Sequence, residues 1–77
     1  MYPKLRSKDN SNHTVTLSGP CQVTGKTYEV TVLRQDLIDY RQGKYIQDAF
    51  PNLSSEDREF LISGTSPEGW QLLFPPE

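Results

Sequence analysis

With one cysteine, one histidine and no long apolar run, this 77-residue sequence excludes more than it announces. A lone Cys21 rules out an intrachain disulfide, and a free thiol suits a reducing compartment better than an oxidising one. No stretch approaches the roughly 20 apolar residues that a membrane-spanning helix needs, so no membrane association is expected. The opening "MYPKLRSKDNSNH" has basic residues with no apolar segment behind them, which does not fit a secretory leader; cytoplasm is the expected compartment. Gly19, Gly25 and Gly43 stand alone, so there is no glycine-rich phosphate loop. Clustered basic charge is also missing. Lys4, Arg6, Lys8, Lys26, Arg34, Arg41 and Lys44 are scattered, and the chain after residue 50 holds only Arg58 against Glu56, Asp57, Glu59, Glu68 and Glu77. That C-terminal third would repel a phosphate backbone, so nucleic acid is an unlikely partner.

What is present reads as one small domain. A chain of this length buries only about 60% of the surface it exposes when unfolded, which leaves it marginal without a metal, a disulfide or a partner. Alternation in "HTVTLS" (13–18) and "KTYEVTVL" (26–33), with Gly19, Pro20 and Gly25 as turn residues between them, predicts a β-hairpin. From residue 34 the period changes. Leu33, Leu37 and Tyr40 fall at helical spacing, with Asp36 in the first turn, Arg41 in the last and Gly43 as a stop. "KYIQDAF" (44–50) fits helix or strand and must end before Pro51. Ser54 followed by Asp57 approximates a capping box for a helix that closes at Gly64. Ser66, Pro67 and Glu68 then supply the cap, first-turn proline and first-turn acid of a last helix carrying Trp70, Leu73 and Phe74. The expected fold is α+β: an N-terminal β-hairpin followed by two to three short helices. Residues 1–12 are expected to form a flexible arm, 13–74 the single domain and 75–77 a tail.

Two constellations invite a chemical reading. Cys21 and Thr24, followed by Gly25-Lys26, sit where a zinc-ribbon knuckle would sit on a hairpin turn, and Ser66 and Gly69 repeat the spacing of a Cys-x-x-Cys. A structural zinc needs four thiolate or imidazole ligands. Only one of these four positions is a thiol, and His13 does not complete a set, so the turn is a degenerate knuckle and neither metal nor cofactor is expected. Cys21 is more simply a small apolar residue in a turn, and Ser66 a helix cap. An enzyme is not expected either: a strand rising about 3.3 Å per residue separates His13 from Cys21 by far more than the roughly 3 Å that a nucleophile and its base require. The turn "SGTSP" has the length of a helix-turn-helix, but "PEGWQLLF" lacks base-reading side chains.

Eight aromatic residues are more than so small a core can hide, and Trp and Tyr are frequent interface anchors. Tyr40, Tyr45, Phe50, Trp70, Leu73 and Phe74 are therefore the candidate partner-binding residues, and the Trp70–Phe74 helix could also close a homodimer.

The runs "TGKTYEVTV", "GKYIQDAFPNLSSEDREFLISG" and "SPEGW" resemble a group of small, largely uncharacterised proteins of bacteria and their phages. The resemblance covers roughly residues 21–74 and is most specific from Ile46 to Gly64. Some of those proteins carry Cys where Ser66 and Gly69 stand here, and are zinc-ribbon-like. The resemblance implies a phage- or prophage-type accessory protein in which capping and packing stand in for a metal staple, and it brings no catalytic residue. The expected function is a non-enzymatic protein-binding module acting on a host protein. The alternatives are a nucleic-acid-associated zinc-ribbon derivative without its metal, and a structural subunit of a larger assembly.

Overall fold

The computed structural model describes residues 1–75; Pro76 and Glu77, most of the expected tail, lie outside them. Three strands, β1 (Arg6–Asp9), β2 (Thr14–Pro20) and β3 (Thr27–Leu33), precede four helices: α1 (Arg34–Arg41), α2 (Ile46–Ala49), α3 (Ser55–Ser63) and α4 (Pro67–Leu73). The strands form one antiparallel sheet in the order β1-β2-β3. The fold is α+β, with the hairpin expected from the alternation formed by β2 and β3. Residues 44–50 resolve in favour of helix: Tyr45 is the cap, and α2 lasts one turn before Phe50 leaves the helical region ahead of Pro51.

The period-two pattern assigns the faces. Val15 and Leu17 on β2 and Val30 and Val32 on β3 point into a core completed by Leu37, Ala49, Phe50, Phe60 and Leu61. Thr16 and Thr31 pair across the opposite face, their hydroxyls 3.1 Å apart. Helices α1, α2 and α3 therefore cover one side of the sheet. Phe50 and Phe60, each 1% exposed or less, are the largest side chains in this layer. Burying a residue of that size is worth roughly 1.5–3 kcal/mol.

The first 12 residues are not the flexible arm their composition suggests. β1 pairs with β2 from Arg6 opposite Ser18 to Asp9 opposite Val15, and Arg34 at the start of α1 holds Asp9 in an ion pair. Tyr2 is buried. Its N–H donates to the Leu61 carbonyl at 2.7 Å, its hydroxyl donates to the Pro20 carbonyl at 2.8 Å, and its ring meets Phe60 edge-on. Gly64 ends α3 in the left-handed region (φ 79°), and a Cβ there would stand 2.5 Å from the Tyr2 ring. Only glycine admits both that backbone and that neighbour.

The capping box is half formed. The Ser54 hydroxyl accepts from the Asp57 N–H at 3.1 Å, but the Asp57 carboxylate turns to β3 and accepts from the Tyr28 hydroxyl at 2.6 Å. That hydrogen bond, reinforced by burial and by the charges of Asp57 and Glu56, pushes the Tyr28 phenol up to about 12.

Candidate functional site

The degenerate knuckle positions converge. The turn after β2 folds on itself, with the Cys21 N–H donating to the Lys26 carbonyl and the Gly25 N–H returning to the Cys21 carbonyl, both at 2.9 Å. The Gln22 N–H donates to the Gly64 carbonyl, which ties this turn to the end of α3. The buried Cys21 Sγ accepts from the N–H groups of Val23 at 3.4 Å, Thr24 at 3.5 Å and Ser66, 45 residues away in sequence, at 3.3 Å. The Ser66 hydroxyl in turn accepts from the Gly69 N–H at 3.2 Å and caps α4. A Cβ on Gly69 would lie 2.8 Å from Cys21 Sγ, with Thr65 and Val23 nearly as close.

Cys21, Thr24, Ser66 and Gly69 thus meet around one sulfur. The sulfur occupies the point that the other three positions face, and backbone N–H groups supply its partners. Among the described residues, no group of three or more His, Cys, Asp or Glu stands close enough to hold a metal ion. Burial pushes the thiol up, but the hydrogen bonds from Ser66 and Thr24 outweigh it and bring the group from 9.0 down to about 6. β2 runs between His13 and Cys21, so the two stand at opposite ends of a strand.

The candidate binding residues divide by burial. Phe50 is a correction: it is 1% exposed, its ring lies against Tyr40 at 5.7 Å, and it cannot act as a surface anchor. The aromatic count alone makes it a candidate, and the core against the sheet has room for it. Tyr40 is half-buried in the same contact, whereas Tyr45 is 75% exposed. On α4, Trp70 is half-buried and stacks on Phe74 at 5.5 Å, while Leu72, Leu73 and Phe74 are exposed. Glu56, Pro67, Trp70, Gln71 and Phe74 line a shallow hollow beside this stack. Leu72 escaped the sequence reading because it lies off the i, i+3, i+4 stripe, and that stripe presumes that the helix buries its large side chains.

The scattered cations are partly spent. Lys26 pairs with Glu68 at 3.2 Å and Arg34 with Asp9. No helix among the described residues is long and apolar enough to cross a membrane. No protein-family model, curated protein or solved structure matches the chain.

Proposed function

We propose that this chain is a small non-enzymatic accessory module that docks the exposed last turn of α4 on another protein. One observation carries the reading. Leu72, Leu73 and Phe74 stand exposed in succession at the end of the helix, and the Phe74 ring stacks on Trp70. Isolated exposed leucines are ordinary, but a contiguous apolar run built around a stacked aromatic pair is the composition of an interface centre. The likeness to small bacterial and phage proteins supports the more concrete form, a phage- or prophage-type factor acting on a host protein in the cytoplasm. A phosphate-binding role has less support, since Lys26 and Arg34 already face carboxylates.

The test is photo-crosslinking from position 73 in a bacterial lysate, compared with the same probe in a Phe74→Ser background. A crosslink to one protein that persists in high salt and disappears with Phe74→Ser is the expected result. A crosslink to nucleic acid, or one indifferent to Phe74→Ser, would sink the reading. Crosslinking to another copy of this chain would turn the helix into a homodimer contact instead.

A further inference from the structure

The two edges of the sheet are treated very differently. β1 is four residues long, and three of them, Arg6, Lys8 and Asp9, are charged. Short, charged edges are how natural sheets discourage further pairing. β3 is seven residues, "TYEVTVL", with Glu29 as its only charge and no proline.

The backbone of β3 says which groups are free. The Arg34 N–H donates to the His13 carbonyl, and the Lys26 carbonyl accepts from the Cys21 N–H, so both residues turn their backbone toward β2. In an antiparallel pair the direction alternates. Tyr28, Val30 and Val32 therefore also face β2. Thr27, Glu29 and Thr31 point their N–H and carbonyl groups outward, joined by the N–H of Leu33, whose carbonyl opens the hydrogen-bond ladder of α1. All four residues are exposed, and among the described residues no backbone group pairs with Thr27, Glu29 or Thr31 or with the Leu33 N–H.

We propose that β3 is a dimerisation edge on which a second copy of this chain pairs antiparallel about Val30, fusing two three-stranded sheets into one. Register and charge single out a second copy as the occupant. With Val30 opposite Val30, Thr27 lies opposite Leu33 and Glu29 opposite Thr31 of the other copy. Glu29 and Thr31 then exchange both hydrogen bonds, and the Leu33 N–H donates to the Thr27 carbonyl. Sliding the pairing one way sets Glu29 against Glu29, which is repulsive; sliding it the other way leaves Thr27 unpaired. The Val30-centred register alone engages all four residues without a charge clash. It also continues the apolar face, since Val30 meets Val30 and Tyr28 meets Val32. A contact one strand long is smaller than a standard interface of about 800 Å² per partner, so the dimer is expected to be concentration-dependent. The inference is independent of the α4 reading.

The experiment combines sedimentation velocity on the whole chain, from micromolar to millimolar, with residue-resolved amide exchange over the same range. The expected result is a monomer–dimer equilibrium in which the amides of Glu29, Thr31 and Leu33 gain protection as dimer forms. Those of Tyr28, Val30 and Val32 should be protected throughout. Thr31→Lys, which sets an ammonium opposite Glu29 of the other copy, should tighten the dimer several-fold, and Thr31→Glu should loosen it by a similar factor. Thr31→Pro should abolish the dimer while keeping the β2 ladder, because the Thr31 N–H points away from β2. If that variant does not fold, the charge pair still decides. A chain that stays monomeric at millimolar concentration would overturn the proposal. So would a dimer in which the amides of Glu29, Thr31 and Leu33 exchange as fast as in the monomer.

Discussion

In its first turn α4 presents Gly69, which has no side chain, to a sulfur already taking three N–H bonds; in its last turn it leaves Leu72, Leu73 and Phe74 exposed to solvent. Short amphipathic helices ordinarily attach along their whole length by one apolar stripe. Here attachment is concentrated in the first turn, in a cap, a close backbone approach and the Lys26–Glu68 pair, with Trp70 half-buried beyond them, so the large side chains of the last turn are left over. The comparison teaches that burial and side-chain size have been uncoupled in α4. Residues that would normally be assigned to a core are then free for a partner.

The anchored end should break first. Gly64 anchors this corner through its carbonyl, and Gly64→Ala forces a left-handed alanine and a Cβ 2.5 Å from the Tyr2 ring. The two penalties together predict a loss of about 3 kcal/mol in denaturant unfolding, and an unchanged midpoint would remove Tyr2 from the core. Gly69→Ala gains up to about 1 kcal/mol of helix propensity but meets Cys21 Sγ at 2.8 Å, so a net loss of about 1–2 kcal/mol is expected. The sharper form is a double-mutant cycle. In a Cys21→Ala background the closest contact disappears while Thr65 and Val23 remain at 3.1 and 3.2 Å, so Gly69→Ala should cost clearly less than in the parent chain. Additive effects would mean that the two positions do not touch.

Cys21→Ala by itself strands the Ser66, Thr24 and Val23 donors, of which the Ser66 N–H lies in a buried contact, and should cost about 1–3 kcal/mol. The same hydrogen bonds set a pH dependence. The thiol ionises near 6 in the folded chain and near 9.0 in the unfolded one, so between those values the unfolded state binds more protons. Stability should therefore rise as pH goes from 6 to 9 and be lost as pH falls through 6. Thiolate absorbance with a midpoint near 9 would contradict it. Tyr28 works in the other direction: its phenol is held neutral up to about 12, so stability should fall as pH rises from 10 to 12, and Tyr28→Phe should remove that fall.

How much of this was readable in advance depends on whether the cause is local. Ser54, Gly64, Ser66 and Pro67 act within four residues of themselves, and the helix limits they predict match α3 and α4. The hairpin is local too. β1 is not: "RSKD" has no apolar alternation, and it is a strand only because β2 offers a free edge and Arg34 holds Asp9. Tyr2 belongs with it, since its partners Leu61, Pro20 and Gly64 are remote in sequence. Cys21, Thr24, Ser66 and Gly69 can be named from their spacing, and the fold brings them together. The chemistry among them, N–H groups gathered on one sulfur, involves backbone atoms that no residue pattern displays.

The smallest effect on stability is expected in the exposed last turn of α4, and that smallness is the decisive contrast. Leu73→Ser and Phe74→Ser remove apolar surface that is 51% and 70% exposed, so little burial is lost on folding. Unfolding free energy should change by less than about 0.5 kcal/mol. Capture of the docking partner should nonetheless weaken tenfold or more, as happens when a central apolar anchor is truncated. Tyr45→Ala, on the exposed cap of α2, separates two forms of the idea. If capture weakens with Tyr45→Ala as well, the interface extends beyond α4; if it weakens only with the α4 variants, the helix alone is the contact. Should Phe74→Ser instead cost as much stability as Cys21→Ala, the last turn would be packed after all, and α4 would be attached along its whole length.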